Sequence, residues 1–190
     1  MRLIVSLSAA LLLHGMLLFA AFGDEQKDVK DFQQRVQRYW DIRNEIDAAV
    51  PPIPTDDPTP EQIVSREDAL DERIRAARAD AREGDIFTTE ISGTLKAIIR
   101  RQLSSPHGAA AREMILGEGN PANSESSVPV DLKVNGEYPT DAPISSTPPS
   151  VLAVLPRLPE GLEYHFVDRH MFLYDSEAAL IVDIMRNAIE

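Results

Sequence analysis

The stretch Leu162-Glu163-Tyr164-His165-Phe166-Val167, Asp168-Arg169-His170, Met171-Phe172-Leu173-Tyr174, Asp175-Ser176-Glu177 and Ala179-Leu180-Ile181-Val182-Asp183-Ile184 decides the fold class. Aromatic and β-branched residues fill three short runs, and polar, turn-forming clusters separate them. Tyr164 and Phe166 fall on one face of the first run and His165 and Val167 on the other, because side chains alternate along a strand. This predicts a three-stranded antiparallel β-meander in a C-terminal region, residues 151–190. Ser176 to Ile189 also reads as an amphipathic helix capped by Ser176, and periodicity leaves both readings open. Leu155 to Gly161, just upstream, is extended and turn-like, with Pro156 and Pro159.

Before the meander the composition changes. Residues 117–150 are rich in Gly, Asn, Pro, Ser and Thr and read as a flexible linker, too poor in apolar residues to offset the entropy of ordering. Within it Val128, Val130, Leu132 and Val134 alternate with polar residues and run into Asn135-Gly136, a hairpin-type signal with Tyr138-Pro139 as a short return arm. A two-stranded hairpin is marginal in isolation, so this one has to dock or stay mobile.

Residues 24–116 read as a helical region, a hairpin or small bundle, which makes the whole chain α+β. Val29, Phe32, Val36, Tyr39, Ile46 and Val50 recur at helical spacing, with Arg43 interrupting the series and Trp40 beside it. Pro51, Pro52 and Pro54 end that helix. Thr59, Pro60, Glu61 and Gln62 form a capping-box start, with Ile63, Leu70, Ile74, Ala77 and Ala81 inward and Gly84 placed to terminate the helix. The seven-residue spacing of Ile63, Leu70 and Ala77 also permits a coiled-coil seam between two chains. A third helix begins near Thr88 or Thr89 and runs to about Leu103, and Ala109 to Leu116 adds a short fourth.

Arg2, the apolar run Leu3 to Phe19 and the small-x-small triplet Ala21-Phe22-Gly23 have the form of a cleavable signal peptide, residues 1–23, with a hydrophilic chain from Asp24 onward. A retained membrane anchor is the rival reading, against which His14 and the small-residue end argue. The protein has no Cys, which excludes a lipid anchor on cysteine, disulfides and thiol chemistry. Its net charge of −12 disfavours nucleic acid and anionic lipid surfaces as partners.

Two segments, Ala76-Ala77-Arg78-Ala79-Asp80-Ala81-Arg82-Glu83-Gly84-Asp85-Ile86-Phe87 and Leu162 to Arg169 followed by Ala179 to Asp183, resemble a family of exported bacterial proteins. The resemblance implies the export signal, the helical front half and the β-rich ending, and it supplies no catalytic residues. The meander alone is loosely similar to the ending of small periplasmic proteins implicated in nickel and cobalt homeostasis, which implies a shared strand-turn-strand plan.

Chemical motifs are sparse. No GxSxG elbow, P-loop or dinucleotide fingerprint is present, and the adjacent acids Asp56-Asp57 and Asp71-Glu72 read as solvated faces. His165 and His170, with Asp168 and Asp175, are the candidate metal ligands, although neither HxH nor HxxxH occurs. Arg75, Arg78 and Arg82 are the candidate partner-binding residues, set among Asp71, Glu72, Asp80 and Glu83. The expectation is an exported, non-enzymatic envelope interaction or accessory protein with no cofactor. A periplasmic metal-binding or metal-stress protein is the alternative, and a small-substrate hydrolase would need a pocket of converging polar groups.

Overall fold

The computed structural model describes residues 5–120, 130–139 and 142–189, with side chains from Gly23 onward. Most of the predicted signal peptide and Val128 therefore lie outside the described side chains. The elements run α1 (Val5–Ala49), α2 (Pro60–Ala77), α3 (Thr89–Leu103), α4 (Gly108–Glu118), β1 (Ser145–Ser146), α5 (Pro149–Leu152), β2 (Leu162–Val167), β3 (His170–Asp175) and β4 (Leu180–Met185). Helices fill the N-terminal half and an antiparallel sheet of order β1-β2-β3-β4 closes the chain, an α+β architecture. Among the described residues no helix is long and apolar enough to cross a membrane.

The sheet has four strands where the sequence predicts three. The addition is β1, which pairs Ser145 with Phe166 and Ser146 with His165. Two serines carry no alternating apolar signal, and the pairing exists because β2 offers an edge. The stretch Ser176 to Ile189 resolves as strand rather than helix: β4 pairs with β3 from Met171↔Met185 to Asp175↔Leu180, with an irregularity between Leu173 and Tyr174.

Phe32, Val36, Tyr39 and Val50 of the α1 side are buried, and Val29, Trp40 and Ile46 pack against them in part. In α2 the capping box forms, with Gln62 N–H donating to Thr59 Oγ1 at 3.3 Å and Thr59 N–H to Gln62 Oε1 at 2.9 Å. The helix stops at Ala77, earlier than Gly84 predicts. Only Leu70 and Ile74 face inward, while Ile63 is 44% exposed. In α3, capped by Thr88, Ile91, Leu95, Ile98, Ile99 and Leu103 are all buried.

These helices pack on one face of the sheet, through Leu162, Tyr164, Phe166, Met171, Leu173, Leu180 and Val182. Phe32 joins the layers, with ring centroids 5.6 Å from Phe87 and 6.2 Å from Tyr164. The opposite face carries Val167, Phe172, Ile181 and Ile184 and is covered by the interval read as a linker. Leu132 is buried there, with Val130, Val134, Tyr138 and Ile144 around it, and Tyr138 stacks on Phe172 at 5.2 Å. The described part of that interval is thus docked, because the second apolar sheet face supplies what its composition lacks; burying Leu132 alone contributes about 2 kcal/mol. Asn135-Gly136 does turn, with Asn135 at φ 59°, but it pairs outward: Asn135 N–H donates to Ile181 O and Ile181 N–H to Gly136 O. The predicted return arm, Tyr138-Pro139, forms no strand; just before it Glu137 makes a single bridge to Leu180.

Candidate functional site

Two carboxylates sit in the sheet with no exposure, Asp175 and Asp183, and burying such groups is costly unless every oxygen is paired. Asp183 interrupts the apolar run of β4. Its Oδ2 accepts from the N–H groups of Ile86 and Phe87, both at 2.7 Å, and its Oδ1 from Gly84 at 2.9 Å and Ile184 at 2.8 Å. The loop after α2 is therefore folded around a side chain almost a hundred residues away in sequence. Gly84, at φ +91°, makes the turn that aims its N–H inward. Burial pushes the Asp183 carboxyl above the usual range, and the four amides oppose that push.

Asp175 ends β3. Its Oδ1 accepts from the N–H groups of Glu177 and Ala178, both at 3.1 Å, and its Oδ2 from Tyr39 Oη at 2.6 Å. Burial and the adjoining carboxylate push the Tyr39 phenol far above its ordinary pKa. Arg43, the residue that interrupts the α1 stripe, is buried beside this pair. It lies 3.5 Å from Asp175 and 3.6 Å from Asp47, binds Glu177, and covers the Trp40 ring at 5.0 Å. Burial alone acts to lower its pKa, but the surrounding carboxylates outweigh that and hold it above the ordinary value.

The sequence candidates are dispersed. His165 lies between Phe172 and Tyr174 on the outer sheet face, with Nε2 2.8 Å from Glu163 and a buried Nδ1 that has no hydrogen-bond partner. His170 stands near the β2–β3 turn, where Nδ1 accepts from Asn187 N–H at 3.0 Å; burial and Arg186 hold its pKa down. Asp168 occupies the left-handed turn position and its N–H donates to Gly119 O. Asp175 is at the far end of β3 from His170, about 17 Å along the strand. Among the described residues no three His, Asp or Glu side chains converge as a metal ion requires.

The three arginines also separate. Arg75 pairs with Asp71 at 2.7 Å and Glu137 at 3.0 Å. Arg78 is turned into the fold, donating to Asn135 Oδ1 at 2.9 Å and Val182 O at 3.0 Å, with its guanidinium 4.9 Å from the Tyr39 ring centroid. Arg82 is exposed, and its backbone N–H is held by Asp85.

The surface feature that sequence reasoning missed lies at the other sheet edge. A groove of about 630 Å³ runs beside β2, lined by Leu152, Pro156, Leu158, Leu162 and Tyr164 on its apolar side and by Glu163 and His165 at its rim. A second cavity, of about 520 Å³, shares Glu163 and His165 and is walled by Glu67, Asp68, Asp71 and Glu137. No family model, curated protein or solved structure was found to match this chain.

Proposed function

We propose that the protein is exported across the bacterial cytoplasmic membrane and acts there as a non-enzymatic interaction or accessory protein of the envelope. The observation that carries the export half is the Arg2, Leu3–Phe19 and Ala21-Phe22-Gly23 pattern, joined by the resemblance of the Ala76–Phe87 and Leu162–Asp183 segments to exported proteins. Among the described side chains, contacts with the helical layer are present just after that pattern: Asp28 accepts from Thr94 at 2.6 Å and Glu25 pairs with Arg101 at 3.3 Å. Removal of residues 1–23 leaves those contacts in place.

Binding rather than turnover is supported by the use of the buried ionisable groups. Asp175 and Asp183 are saturated by backbone amides and Tyr39, which is how a carboxylate holds a fold together rather than how it exchanges protons with a substrate. The chain is expressed in a bacterial host and fractionated, and the N-terminus of the recovered protein is determined. Recovery in the periplasm with Asp24 first is the expected result. A cytoplasmic protein that keeps Met1 would end the export half, and substrate turnover abolished by one polar substitution at the surface would end the other.

A further inference from the structure

We infer that the cavity between α3, α4 and the segment after β4 binds a small phosphate monoester, its phosphoryl group against Lys96, Arg100 and Arg112 and its apolar body against Leu103 and Ile189. This goes beyond the interaction reading above and does not rest on it. Helical spacing builds the first wall: Lys96, Arg100 and Ser104 recur every fourth residue, so they share one face of α3 and its cap. Gly108 then opens α4 so close to α3 that a Cβ there would run into the backbone oxygens of Leu103 and Gln102. That close turn brings Arg112, one turn into α4, to the same cavity. The last wall follows β4 and is pinned to the β2–β3 turn, where Ile189 N–H donates to Arg169 O at 3.2 Å and Asn187 N–H to His170 Nδ1 at 3.0 Å.

The charge of this cavity runs against the composition. The protein has 31 Asp and Glu against 19 Lys and Arg, yet the cavity, of about 280 Å³, is lined by three cations and, among the described residues, by no carboxylate. Arg100 alone reads as a basic residue offsetting the dipole at a helix C-terminus. That does not account for Lys96, about two turns before the end of α3, or for Arg112 in the opening half of α4. Arg100 and Arg112 are engaged within the chain, and what the cavity takes from them is charge. Lys96 is half-buried, with no hydrogen bond or ion pair to any described residue, and a cation so placed is normally met by an anion.

The ligand class follows from what the walls offer. Arginine forks match phosphate oxygens and lysine supplies a compact point charge, and three cations balance a doubly charged group better than a single carboxylate. The hydroxyl of Ser104, at the exposed rim, adds a donor. Ile99, Leu103, Ala188 and Ile189 make the remaining wall apolar, a surface that a bare ion would leave wet and an organic body covers. The volume falls below that of pockets for drug-sized molecules and suits a single small ring or a short chain.

The test is isothermal titration calorimetry on the purified protein with phenyl phosphate, inorganic phosphate and benzoate as probes. Phenyl phosphate is expected to bind saturably, at least about tenfold more tightly than either of the others, and to weaken as salt is added. Lys96→Gln and Ser104→Glu are each expected to lower that affinity at least about tenfold while leaving the unliganded thermal melt in place. Arg101→Gln removes a neighbouring cation that pairs with Glu25 outside the cavity and is expected to leave the affinity unchanged. No saturable binding up to about 10 mM, equal affinity for either of the other probes, or full binding by Lys96→Gln overturns the inference. An equal loss in Lys96→Gln and Arg101→Gln also overturns it, since that marks a diffuse effect of charge rather than a site.

Discussion

Along β4 the outer edge is met from Leu180 to Asp183 by a turn, an arginine and a loop, whereas along β2 strand pairing stops at His165 and only single bonds follow, from Thr147 Oγ1 to Tyr164 O and from Leu162 N–H to Pro159 O. Glu137 bridges to Leu180, the Asn135-Gly136 turn exchanges hydrogen bonds with Ile181, Arg78 caps Val182 O, and Asp183 gathers the loop from Gly84 to Phe87. At β2 the ladder is cut short by two prolines. The difference teaches where this chain invests its polar groups. The β4 edge is closed around the fully buried Asp183, and the β2 edge keeps an apolar groove under an acidic rim.

The largest effect should come from breaking the closed edge at its centre. Asp183→Ala leaves the amides of Gly84, Ile86, Phe87 and Ile184 without their acceptor, and a loss of about 4 kcal/mol in urea unfolding is expected, with Asp183→Asn costing less. A loss within experimental error would mean that water takes over the loop. Next, Arg78→Met removes the donors to Val182 and Asn135 and the contact over Tyr39, for about 2 kcal/mol.

A pH titration sharpens the contrast near the sheet's turn. His170 has a lowered pKa in the folded protein, and its Nδ1 must be unprotonated to accept from Asn187. Its contribution is therefore present above the ordinary histidine value of about 6.5 and is lost as the pH falls through the lower folded value. The melting temperature is expected to drop in that window for wild type and to drop less for His170→Gln. The smallest effect belongs to the open edge: Leu152→Glu is expected to change stability by under about 0.5 kcal/mol, because its side chain is half exposed already. A large loss there would show that the groove is part of the core.

Periodic apolar residues made the secondary structure legible. The α1 stripe, the α3 face and the alternation of Tyr164 and Phe166 against His165 and Val167 all depend on local spacing, which a sequence displays directly. β1 was illegible because two serines have no period, and the docking of residues 130–139 depended on a second apolar sheet face whose existence is a tertiary fact. The buried polar network leaves two traces in the sequence, of which only Arg43 enters the reading above. Arg43 breaks a helical stripe and Asp183 breaks an apolar strand, and charged residues in such places are seldom buried unless partnered. Asp175 reads from sequence as a metal ligand, but what it binds is the phenol of Tyr39 and two amides. The groove beside β2 was beyond reach, since it is bounded by α5 and β2, which no motif connects.

The bond from Tyr39 to Asp175 spans 136 positions, and the loop bonds to Asp183 span nearly a hundred. A ribosome delivers the helical residues before these carboxylates. Until β3 and β4 have emerged, Arg43 has no Asp175 or Glu177, the loop at Gly84 has no acceptor, and the apolar face of α1 has no sheet to rest on. Contacts so distant in the chain also close slowly. The helical layer thus stays loose until β3 and β4 have been made, and residues 175–185 are the ones that lock the fold.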